Sequence, residues 1–104
     1  MKLSKKILSS SLFLILSTSG MANQQLAEPT LGQSIGVVCS ACHGTDGISH
    51  GSVPTLKGLS FNSLEKSLLR YRSGEKKGTI MNRIAKGYTP DEITAVSDYF
   101  GSMR

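Results

Sequence analysis

Cys39-Ser40-Ala41-Cys42-His43 holds both cysteines of a 104-residue chain, and what these five residues do decides how the rest is built. As a disulfide, two cysteines three positions apart would close a very small ring and remove little unfolded-chain entropy. A thioredoxin-like redox pair belongs in a βαβ setting, which the flanking sequence does not offer. A structural zinc site wants a second pair of Cys or His at motif spacing. Outside the motif only His50 remains, and it stands alone. Just upstream, Leu31, Ile35, Val38 and Cys42 fall at steps of four, three and four. That period predicts a helix from about Thr30 to Cys42, with the motif at its end. Gly32 and Gly36 lie inside it, each costing about 1 kcal/mol relative to Ala, and leave room for another helix to cross.

Cys-X-X-Cys-His is the attachment sequence of haem c. Each thiol adds across one vinyl group, so Cys39 and Cys42 give two thioethers and hold His43 under the iron as the proximal ligand. One copy of the motif means one haem c. The sixth ligand follows by elimination between Met81 and Met103, the methionines left once the N-terminal segment is set aside. Met103 is penultimate, where chains fray. Met81 stands in Thr79-Ile80-Met81-Asn82, far from His43 along the chain. Filling the core is the alternative for any Met, but a soft thioether suits haem iron. His50 is only seven residues from His43 and reads as a solvated loop histidine. A ligating histidine commonly donates its other ring N–H to an acceptor, and the backbone carbonyl of Pro54 is the candidate. Arg83, Tyr88 and Lys86 are candidate contacts for the propionates, with a solvated surface position the alternative for each.

Toward the N-terminus, Lys2, Lys5 and Lys6 precede an apolar run from Ile7 to Leu16, and Gly20-Met21-Ala22 follows with small residues. This is the three-part pattern of a secretory signal peptide. A bilayer span needs about 20 apolar residues, and this run has roughly half that. The expectation is cleavage after Ala22, a mature domain at 23–104, no stable membrane insertion after cleavage, and a periplasmic location. The full chain has 12 Lys+Arg against 7 Asp+Glu, a formal charge of +5. Without the three leader lysines, nine basic and seven acidic residues leave +2. The basic balance therefore belongs mostly to the leader. No basic run interleaved with aromatics points to nucleic acid. The 82 residues left when 22 are removed from 104 make a small domain. Such a domain buries only about 60–65% of its unfolded surface and tends to need a staple, which a bulky apolar cofactor supplies.

Toward the C-terminus, Gly44 to Gly58 reads as loop, with Gly47, Gly51 and Pro54 inside it. Ser60 has the character of an N-cap, and Phe61, Leu64, Leu68 and Tyr71 form the apolar face of a second helix that ends near Ser73 and Gly74. Ile80, Ile84 and Tyr88 mark a short helical piece stopping at Gly87. Thr89-Pro90-Asp91-Glu92 places Thr at N-cap, Pro at N1 and Glu at N3, a capping box opening the last helix. Ile93, Val96, Tyr99 and Phe100 form its apolar face. No stretch alternates like a strand. The fold expected is all-α, with three main helices and long loops wrapped around one covalent haem.

Taken together, Cys39 to His43, the Pro54–Gly58 loop, Met81 and a C-terminal helix carrying Tyr99 resemble a class I cytochrome c over essentially the whole mature chain. That resemblance implies the cytochrome c fold, in which the first and last helices cross at a small residue and an aromatic. Gly36 or Gly32 and Tyr99 or Phe100 would take those roles. A narrower likeness lies in Ile80-Met81-Asn82-Arg83-Ile84-Ala85-Lys86-Gly87-Tyr88, Glu92-Ile93 and Tyr99-Phe100. These are similar to the haem subunit of flavocytochrome c sulfide dehydrogenase, which implies a flavoprotein partner that oxidises sulfide and hands on electrons. The haem subunit in that family often has two haem domains, and this chain has one. The expected role is single-electron transfer, not catalysis by the chain itself. The alternative is a free diffusible carrier serving an oxidase or reductase through other redox partner proteins. A peroxidase would need an open iron position, against which Met81 ligation argues.

Overall fold

Thr30 starts the first helix because its hydroxyl accepts from the Gln33 amide (3.2 Å) while the Gln33 side chain accepts from the Thr30 amide (2.7 Å). In this computed structural model, which describes Gly20 and residues 26–104, that helix is α1, Leu31–His43. The rest of the expected leader, residues 1–22, lies outside the described residues. Ser60 opens α2, Phe61–Ser73, by accepting from the Ser63 amide at 3.1 Å, and Gly74 closes it in the left-handed region at φ 84°. A six-residue helix α3 spans Met81–Lys86. The Thr89–Glu92 capping box, with bonds of 2.9 and 3.2 Å, opens α4, Pro90–Gly101. The described residues contain no strand, and the fold is all-α, as expected.

The first and last helices cross, and α2 packs on both α3 and α4. At the crossing, a Cβ on Gly32 would overlap the backbone carbonyl of Ala95 and come within 3.1 Å of Tyr99 Cβ. One on Gly36 would overlap the Tyr99 ring. Both glycines are therefore gaps filled by α4, and Tyr99 is the aromatic of the pair. Phe100 points elsewhere, into the core with Ile35, Leu64 and Val96, and its ring edge covers Gly47.

The buried side of α1 differs from the face that its spacing indicated. Gly32, Ile35, Gly36 and His43 are buried, while Leu31 and Val38 are about half exposed and Cys42 is exposed. The reason is the crossing itself, since α4 approaches along the glycines and rotates the larger side chains outward. The segment after α1 is also more ordered than a plain loop. Thr45–Gly47 forms a tight turn with Asp46 at φ 56°, and the Gly47 carbonyl accepts from the amides of Leu56 (2.7 Å) and Lys57 (3.3 Å). That fold-back returns residues 53–57 toward the end of α1. Among the described residues no helix is long and apolar enough to cross a membrane.

Candidate functional site

The last turn of α1 carries Cys39, Cys42 and His43, which the i, i+3, i+4 spacing sets on neighbouring positions of one helix face. Cys39 is half-buried against the core, Cys42 is exposed, and the two form no disulfide. Burial pushes the Cys39 thiol above its ordinary pKa, its own backbone hydrogen bond lowers it, and the charge of Cys42 raises it further. A redox-active Cys-X-X-Cys has the opposite bias, with a lowered thiol that attacks as thiolate.

His43 is buried, and its Nδ1 lies 2.5 Å from the Pro54 carbonyl. A carbonyl can only accept, so Nδ1 carries the proton and donates. In the neutral ring this fixes the tautomer, with the lone pair on Nε2. No protein group among the described residues bonds to Nε2, which is not sealed off in the core. The Gly47 fold-back is what brings Pro54 to this position.

Met81 is the first residue of α3 and is half-buried. Its neighbour Asn82 bonds to Tyr71, Lys76 and Gly78. Tyr88 packs on the same core cluster as Cys39, and its carbonyl accepts from Arg72 Nε at 2.9 Å. Its phenol is raised by burial first, then by the neighbouring charges of Cys39 and Glu92. Arg83 and Lys86 are exposed, with no side-chain hydrogen bond or ion pair among the described residues. His50 is exposed, whereas Met103 packs against the core cluster. Sequence reasoning did not single out Asn82. Its one signal was an Asn in the first turn of a helix, where such a side chain readily bonds nearby backbone.

These residues suit a haem c. Among the described residues the buried apolar core consists of only Ile35, Leu64, Ala85, Ile93, Val96 and Phe100. The segments that carry Pro54 and Met81 also carry Val53, Leu59, Ile80 and Ile84, all left exposed. That is much bare apolar surface for a small protein. Two thiols suit addition to the vinyl groups of a haem, while an imidazole with a free Nε2 and a thioether are nitrogen and sulfur donors of the kind haem iron takes. A shallow groove of about 630 Å³ along α2, lined by Asn62, Glu65, Lys66 and Arg70 among others, includes none of them.

Comparison with known proteins leads to the same place. The cytochrome c family model matches residues 29–104. The cytochrome subunit of sulfide dehydrogenase from Chlorobaculum tepidum is 36% identical over 89 residues, covering 83% of this chain and 81% of that protein. Cytochrome c-554(548) from Halomonas halodenitrificans is 38% identical over 69 residues, covering 62% and 83%. Cytochrome c-553 from Desulfomicrobium norvegicum is 32% identical over 70 residues, covering 64% and 86%.

Proposed function

Because the chain belongs to the cytochrome c family, and so is an electron-transfer protein with one covalent haem c, we propose that it serves as the electron-accepting haem subunit of a flavocytochrome c sulfide dehydrogenase. The observation that carries this reading is the likeness to the Chlorobaculum tepidum subunit, which runs through four-fifths of both chains. In this reading residues 1–22 are a cleaved signal, residues 23–104 work in the periplasm, and a flavoprotein subunit is the donor.

Cys39 and Cys42 anchor the haem, which supplies a one-electron ferric–ferrous couple when bound. His43 offers Nε2 to the iron, and the Pro54 carbonyl holds the ring by its Nδ1–H and makes the imidazole a better donor. Met81 would be the second residue to hold the iron, through its thioether. Ile80 and Ile84, exposed beside Met81, would offer apolar surface to a bound haem and so limit the water near it. Tyr88 and Arg83 are the propionate contacts in this reading. The likeness to the small cytochromes c-554(548) and c-553 supports a second reading, a diffusible carrier.

The test is gentle purification from the native periplasm, with visible spectra before and after sulfide. A co-purifying larger subunit, flavin absorption beside the haem bands and haem reduction by sulfide are the expected results. Haem bands alone, with no companion and no response to sulfide, would reject the subunit reading in favour of the carrier.

A further inference from the structure

We propose that Asn82 is the positioning residue that holds Met81 at the iron, an inference that rests on Met81 being the sixth ligand. Both N–H donors of the Asn82 amide and its oxygen are engaged. Its Nδ2 donates to the carbonyls of Tyr71 (2.9 Å) and Lys76 (2.7 Å), and its Oδ1 accepts from the Gly78 amide (2.9 Å). Carbonyls only accept and amides only donate, so these partners dictate which end of the side chain is oxygen. One side chain thus ties the last turn of α2 and two points of the α2–α3 connection to the residue next to Met81.

The first half of that connection is also held, by the Arg70–Glu75 ion pair (3.1 Å) and by the Lys76 amide on the Arg70 carbonyl (3.0 Å), but among the described residues 77–79 have no hydrogen bond other than that of Gly78 to Asn82. Lys77, Gly78, Thr79 and Ile80 are exposed. Helix α3 has six residues, no side-chain cap, and only Ala85 buried. A helix this short is marginal by itself, and segments with few buried apolar contacts open before the whole fold does. The path is also tight. A Cβ on Gly78 would lie 2.9 Å from the Tyr71 ring and 3.6 Å from Met81 Cβ, and Lys76 Nζ sits 4.8 Å from the centre of that ring. The connection therefore runs over Tyr71 directly to Met81, and the Asn82 amide closes it. Breaking the amide contacts frees Met81 to leave the iron while the rest of the molecule stays folded.

The experiment uses ferric holoprotein, with imidazole as a competing ligand for the sixth position. It compares wild type, Met81→Ala, Asn82→Ala and Asn82→Asp. The readouts are imidazole affinity, the long-wavelength absorption of sulfur-ligated ferric haem, and the thermal midpoint. Well below the midpoint, Asn82→Ala should bind imidazole at least about tenfold more tightly and lose part of the sulfur band. Asn82→Asp keeps the acceptor for Gly78 but turns oxygen toward two carbonyls, and should open at least as far. A lower midpoint with wild-type imidazole affinity and a full sulfur band would make Asn82 merely structural and overturn the proposal. If Met81→Ala keeps the sulfur band, the ligand assignment itself fails, and the two failures are told apart. Unaltered holoprotein gives a check that needs no variant. Exchange of the Gly78 amide should report the same opening that admits imidazole, and exchange only on global unfolding would contradict the clamp.

Discussion

Tyr99 occupies the space where a side chain on Gly36 would stand, and Ala95 presents its carbonyl where a methyl on Gly32 would stand. Gly32→Ala would regain about 1 kcal/mol of helix propensity. The added methyl meets backbone, however, so the two helices must separate, and overpacking of this kind costs about 1–3 kcal/mol. The net expectation is a lower denaturant midpoint for Gly32→Ala. Ser97 presents the opposite case. It is buried in α4, and its hydroxyl has no hydrogen-bond partner. An unpaired buried hydroxyl is costly, so Ser97→Ala should hold or raise stability, by up to about 1 kcal/mol. A clear loss in chemical denaturation would mean that the hydroxyl has a partner in solution. At the proposed attachment site, Cys39→Ala or Cys42→Ala should each remove one thioether and sharply reduce the yield of holoprotein. Normal amounts of tightly bound haem in both variants would contradict the assignment.

Two helices of the fold begin with reciprocal caps, Thr30–Gln33 and Thr89–Glu92. Thr89→Ala should cost about 1 kcal/mol, within the usual range for a lost N-cap, and lower the thermal midpoint without altering the visible spectrum. The cap on α4 was legible from Thr-Pro-Asp-Glu alone, because its Pro and acidic residue have no other common reason to stand together. The Ser60 cap and Gly74 stop of α2 were equally plain. Less legible was which side of α1 turns inward. Periodicity counts apolar residues, whereas this helix is packed by what Gly32 and Gly36 lack. The fold-back at Gly47 was hidden for a related reason. It is made by backbone bonds to Leu56 and Lys57, and backbone bonds leave little trace in side-chain pattern. The Cys39–His43 motif was readable because covalent chemistry demands fixed residue types at fixed spacing. The Asn82 contacts demand only an amide within reach of three backbone groups.

At the scale of the whole molecule, six buried apolar side chains among the described residues are a thin core. Preventing attachment with Cys39→Ala and Cys42→Ala together should therefore leave a chain with little far-UV helical signal and no cooperative melt. A helical, cooperatively melting apoprotein would show that the protein core suffices alone. The helix crossing described above has a further consequence, for the order of assembly. The attachment motif lies on the first helix, and the helix that locks it lies at the far end of the chain. Closing so long a loop has an entropic cost that rises only slowly with length, but it cannot happen until the last residues have arrived. An emerging chain thus exposes its thiols while still open and becomes compact only afterwards. Removal of residues after Tyr88 should then yield a product that still carries covalent haem yet is digested rapidly by protease, because the final helix acts as the latch on a site already loaded.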